Sequence, residues 1–263
     1  MSVSRSCATS LALLLAVGMN ASAQRGDRTD NFRRGTLRPA WTFLAPGGGF
    51  YELRDGWVHI TSPGVRDPVP RQDAAMSPML LLRPPTDEAF SFESRLRSHT
   101  RTHWAMAGLV AISDDLESRM AMLYAPTMTG GRLILEWWVA RGMEGAGNLV
   151  VGSTGDMWLR VESRSGSPFT NPKFYYRQSG DDEPWIDAMR AKGGIAFRLP
   201  RVMEPRFRSG EYSVGLVVSG GPLAVDDEEE VAFDYFHSPE MAPLAVRPAG
   251  TSTTLWADLK RAR

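Results

Sequence analysis

Residues 157–185 constrain the fold more than any other stretch of the chain. They hold Met157-Trp158-Leu159-Arg160-Val161-Glu162, a Gly/Ser/Pro turn, and then Lys173-Phe174-Tyr175-Tyr176-Arg177, closed by a polar turn and Trp185. Leu159 and Val161 fall on one side of the first run, and Trp158, Arg160 and Glu162 on the other. Such alternation marks a strand with one buried face, because successive side chains of a strand point to opposite sides.

The same pattern recurs along most of the sequence. Phe50-Tyr51-Glu52-Leu53 and Trp57-Val58-His59-Ile60 flank Arg54-Asp55-Gly56, a hairpin signal because Gly tolerates positive φ. Phe90, Phe92 and Leu96 alternate with Glu93, Arg95 and Arg97. Residues 104–112 are apolar on both faces, as in a central strand covered on both sides. Further strands are expected at 41–44, 79–82, 119–124, 132–140, 148–151, 211–218 and 231–236. About a dozen short strands separated by turns argue for an all-β sandwich or barrel. A short helix is expected over 186–192 and an inserted loop over 193–208.

The ends read differently. Arg5, an apolar run over 11–17 and Ala21-Ser22-Ala23 make residues 1–23 a secretory signal peptide, since signal peptidase accepts only small side chains at its cleavage site. The protein is therefore expected to be secreted or periplasmic. Residues 24–38 are polar and Arg-rich and read as a flexible segment, 39–238 as one sandwich domain, and 239–263 as a tail. Cys7 is the only cysteine and lies in the leader, so an ordinary apolar core must hold the domain without disulfides. Without Arg5, 29 basic residues face 30 acidic ones, which argues against non-specific nucleic-acid binding. No apolar run after the leader is long enough for membrane insertion as a helix. No motif specifies an oligomeric state.

Four blocks in order carry a family resemblance. They are Ala107-Gly108-Leu109-Val110 with Asp114-Asp115, Trp158-Leu159-Arg160-Val161, Phe174-Tyr175-Tyr176 with Gly180-Asp181 and Trp185, and Tyr212-Ser213-Val214-Gly215-Leu216 with Phe233-Asp234-Tyr235-Phe236. Together they resemble the concanavalin A-like β-sandwich at the C-terminal end of family 43 β-xylosidases and related stand-alone domains of unknown function. Ser179-Gly180-Asp181-Asp182 departs from the Asp-Gly order of that family's turn. The resemblance implies a jelly roll of two antiparallel sheets, one of them concave with an open face for sugars. It does not bring the xylosidases' catalytic propeller with it.

Sugar recognition needs aromatic rings to stack on pyranose C–H faces and planar polar groups to pair with hydroxyls. By alternation, Glu93, Arg95, Glu136, Trp138, Arg160 and Glu162 are expected to share one polar sheet face, with Trp104 and Trp138 as the aromatic platforms. A solvated face laced with cross-strand Arg–Glu pairs has the same sequence pattern. The leading reading is carbohydrate recognition without catalysis. A glycoside hydrolase using Glu93 and Glu136 is the alternative, and a structural, envelope-associated protein is a third.

No cofactor or metal is implied. The histidines His59, His99, His103 and His237 lack metal-ligand spacing, and no phosphate-binding glycine loop occurs. Asp226-Asp227-Glu228-Glu229-Glu230 reads as a solvated turn before the last strand, with a Ca²⁺ loop as the lesser alternative.

Overall fold

A computed structural model describes residues 30–63, 77–84, 91–99, 105–139, 142–153, 155–163, 172–191, 211–219 and 228–239, with backbone alone at 142–146. The expected leader, Trp104, His103, Asp226, Asp227, the inserted loop and nearly all of the tail lie outside these residues. Among the described residues fourteen strands form two antiparallel seven-stranded sheets, and no helix occurs. The fold is an all-β, jelly-roll sandwich.

The first sheet runs β1(Thr42–Leu44), β4(Met79–Leu82), β13(Tyr212–Ser219), β6(Met106–Ser113), β7(Arg119–Ala125), β8(Arg132–Val139) and β9(Gly142–Val150). The second runs β12(Ile186–Asp187), β11(Lys173–Arg177), β10(Met157–Glu162), β5(Ser91–Ser98), β14(Glu228–Phe233), β3(Trp57–Pro63) and β2(Phe50–Arg54). Their facing sides share one apolar core. Leu109, Met122, Leu135 and Leu216 come from the first sheet, and Ile60, Phe92, Leu96, Leu159, Phe174 and Phe233 from the second. A second apolar cluster, including Met79, Leu81, Val110, Leu123 and Val217, occupies the far side of the first sheet. Hence β6 and β7 are apolar on both faces, whereas strands of the second sheet alternate.

Local chemistry sets several boundaries. Asp55 and Gly56 both have positive φ, 53° and 79°, in the two-residue turn between β2 and β3. That conformation matches the twist of a hairpin, and Asp-Gly adopts it at low cost.

Three expectations are corrected. First, Asp30 and Phe32 are packed against the sandwich rather than part of a flexible segment, although Arg33, Arg34, Gly35 and Thr36 between them and Trp41 are exposed. Asp30 bridges Phe236, Phe32 is 2% exposed, and Trp41 stands edge-on to Phe236 at 5.2 Å. Asp30 accepts hydrogen bonds from Trp41 Nε1 at 2.9 Å and the Phe32 amide at 3.0 Å, which lets a polar segment seal the sandwich. Second, Ile186 and Asp187 are an edge strand paired with Tyr176 and Tyr175, not the start of a helix. The Ala188 amide continues the pairing to the Phe174 carbonyl, and the Asp187 side chain accepts from the Met189 amide to form a turn. Third, the acidic run is strand as far as it is described. Glu228 opens β14, Glu229 faces inward at 1% exposure, and Glu230 faces outward.

Candidate functional site

The outer face of the second sheet collects the charged and aromatic halves of its alternating strands. Trp158 lies opposite Arg95 on β5 and Arg177 on β11, and Arg160 lies opposite Glu93 and Tyr175. Guanidinium groups and indole rings interleave across the strands. The Arg97 and Arg95 guanidinium carbons lie 4.9 and 5.1 Å from the Trp57 ring centre, and Arg95 lies 4.9 Å from Trp158. Arg177 is 5.9 Å from Trp158 and 4.4 Å from Trp185, and Arg160 is 5.8 Å from Trp185. These separations fall within the range of cation–π attraction.

Carboxylates pin the guanidinium groups. Asp156, just before β10, accepts Arg97 Nε at 2.8 Å, Arg97 Nη2 at 2.9 Å and Arg95 Nε at 3.0 Å. Burial alone would raise the Asp156 carboxyl, but hydrogen bonds from Arg97 and Arg95 outweigh it and hold the group below the usual carboxylate range. The hydrogen bond to Asp156 correspondingly raises Arg97. Asp181 accepts both Arg177 Nη2 at 3.0 Å and Trp158 Nε1 at 3.1 Å. Glu162 pairs with Arg160 at 2.8 Å, and Glu93 accepts the Tyr235 hydroxyl at 3.1 Å with Arg160 at 3.8 Å.

Toward the β2–β3 hairpin the face dips. Ala232 on β14 is flanked by His59 on β3 and Arg97 on β5, both in register with it. The methyl group leaves a hollow of about 270 Å³, bordered by Arg54, Asp55, Trp57, His59, Arg97 and His99. His59 Nδ1 lies 2.8 Å from Glu230 Oε1, the oxygen that Arg54 also contacts.

Four expected site residues, Glu93, Arg95, Arg160 and Glu162, come together on this face. Glu136 and Trp138 do not join them. They sit on β8 of the first sheet, pointing away from the shared core that Leu135 and Trp137 enter. There Glu136 pairs with Arg119, whose guanidinium lies 5.2 Å from the Trp138 ring, and all three are at most 7% exposed. Burial pulls the Arg119 guanidinium below its ordinary range, against the opposing pull of Glu136. Trp104 lies outside the described residues. Sequence reasoning missed Arg54, Trp57 and His59 as site residues, although the alternation of Trp57 and His59 with Val58 and Ile60 marked them as outward. It also missed Arg177 and Trp185, which needed the pairing of β11 with β10.

Among the described residues no three His, Cys, Asp or Glu side chains are placed to hold a metal ion, and no helix is long and apolar enough to cross a membrane.

No protein-family model and no curated protein matches the sequence. Solved structures do match the fold. A family 43 glycoside hydrolase, BlXynB, from Bacillus licheniformis aligns with a TM-score of 0.58 at 15% identity, over 80% of this chain and 38% of that one. A Bacteroides ovatus family 43 protein of a xyloglucan utilisation locus gives 0.55 at 15% identity over the same shares. A xylan β-1,4-xylosidase from Bacillus halodurans gives 0.52 at 17% identity, again over 80% and 38%. The chain thus spans well under half of each of these proteins, and its two antiparallel sheets form a β-sandwich resembling the C-terminal domain of family 43 xylosidases.

Proposed function

We propose that this protein is an exported carbohydrate-recognition module that binds a saccharide on the outer face of its second sheet without cleaving it. The hollow over Ala232 carries this reading. It is a concave, polar site beside an indole ring, on a fold shared with sugar-active proteins. Ring stacking and convergent N–H groups are what a sugar requires. Export rests on the leader at residues 1–23.

The catalytic alternative loses its carboxylate pair. Glu93 and Glu136 point outward from opposite sheets, and packed sheets are about 10 Å apart before side chains are added. Glycosidic cleavage needs its two carboxylates about 5–9.5 Å apart across one bond.

A specific observation favours a structural role for the other half of the face. Trp158 is only 6% exposed, so it is no open platform, whereas Trp57, though flanked by Arg95 and Arg97, stays partly exposed. The reading therefore narrows the ligand site to the hollow and gives Glu93, Arg95, Arg160 and Glu162 the task of holding the sheet.

Calorimetric titration of the full chain with xylo-oligosaccharides and other plant-wall oligosaccharides tests this. Binding that Trp57→Ala abolishes, with unchanged sugar on product analysis, is the expected result. No binding to any saccharide would leave the structural reading, and released sugar would make the protein an enzyme.

A further inference from the structure

Ala232 is the centre of a grid of outward side chains. Trp57, His59 and Thr61 line one side from β3, and Arg95, Arg97 and His99 the other from β5 and its end. Along β14 itself Ala232 is preceded by Glu230 and followed by Asp234. Every position around the centre carries a polar or aromatic group, and the centre carries a methyl. A socket with this lining is specific in what it offers.

Its carboxylates are already used. Glu52 and Glu230 accept from Arg54 Nη1 and Nη2, and Asp156 accepts from Arg97 Nε and Nη2. This leaves Nε of Arg54 and Nη1 of Arg97 without a partner among the described residues. Arg95, the next cation on β5, is taken up by Asp156 and Asp234. The attraction of the socket therefore comes from directed N–H groups, since the acids behind the arginines offset their net charge. A carboxylate only accepts, so the shared proton in the His59–Glu230 bond belongs to Nδ1 of His59. Nε2 of His59 is then the ring atom left for a ligand. His99 adds a second imidazole. Asp55, exposed at the hairpin tip, is the lining carboxylate that opposes an anion.

We infer that the socket over Ala232 takes a carboxylate-bearing sugar, a hexuronate residue of an acidic saccharide. This rests on the carbohydrate-recognition reading above and adds the class of ligand. The carboxylate meets Arg54 and Arg97, and the ring lies toward Trp57.

The test is calorimetric titration of the full chain with three probes: an oligogalacturonate, xylohexaose and inorganic sulfate. The oligogalacturonate binds at least about tenfold tighter than xylohexaose. Ala232→Leu fills the socket and removes binding, and Arg97→Gln weakens it about tenfold or more. Asp55→Asn keeps a residue suited to positive φ and strengthens uronate binding severalfold at low salt. Unchanged thermal unfolding of each variant shows that the fold is intact. Equal affinity for the neutral and acidic oligosaccharides overturns the inference and leaves the recognition reading standing. Sulfate binding as tightly as the uronate reduces the socket to an ion site and overturns it too. Failure of both saccharides to bind overturns both.

Discussion

Asp156 grips Arg97 with both carboxylate oxygens, Oδ1 to Nε at 2.8 Å and Oδ2 to Nη2 at 2.9 Å, while the same Oδ2 accepts Nε of Arg95. One residue outside any strand thus fixes two guanidinium groups of β5 against the indole of Trp57. The carboxyl titrates below its ordinary value in the folded protein, so its contribution is present above the unfolded-state value and is lost as pH falls through the folded one. Asp156→Asn should cost about 1 kcal/mol, a surface-network magnitude. The gap from wild type should hold steady above about pH 5 and close as pH drops below about 4. Urea titrations across that range check this; a gap that widens toward acid would show the sign to be wrong.

The packed start of the structure predicts a large effect from a segment whose sequence looks dispensable. Asp30→Ala leaves the buried Trp41 indole N–H without its acceptor, at about 1–3 kcal/mol. Phe32→Ala removes a ring from the core and should cost about 3–5 kcal/mol. Chemical denaturation measures both, and near-zero changes would mean that residues 30–38 are not part of the folding unit.

On the opposite side of the sandwich, Glu136 and Arg119 form an ion pair almost wholly removed from water. Glu136→Gln leaves a buried guanidinium without its counter-charge and should destabilise by about 3–5 kcal/mol. The double change Arg119→Met with Glu136→Leu removes both charges and should recover most of that loss. A double-mutant cycle by urea unfolding checks it; additive single and double losses would rule out coupling.

Arg177 lies 4.4 Å from Trp185 and donates to the Asp181 carboxylate and carbonyl. Lysine keeps the charge but not the planar, forked donor. Arg177→Lys should cost about 1–2 kcal/mol. It should also increase the solvent exposure of tryptophan fluorescence, and an unchanged melting temperature and spectrum would remove Arg177 from the interlock.

Much of the fold was legible because alternation is a local property. Each strand's inward set, such as Leu159 with Val161 or Phe92 with Leu96, follows from the two-residue period and needs no knowledge of the partner. The Asp55-Gly56 turn was equally local. Polar outward residues were found the same way, which is why Glu93, Arg95, Arg160 and Glu162 emerged together.

What alternation could not decide is which sheet a strand joins. The outward set of β8 reads like that of β5, yet β8 pairs with β7 in the other layer, so Glu136 and Trp138 stand on the far side of the molecule. The hollow is still further from local information. His59 and Glu230 meet across 171 positions of sequence, and Ala232 is a gap only because the registers of β3 and β5 raise His59 and Arg97 on either side of it. Sequence alone determined that the chain makes short strands with one apolar face. Tertiary pairing decided which outward faces coincide, because hydrogen-bond register between distant strands is set by the whole sandwich closing over one core.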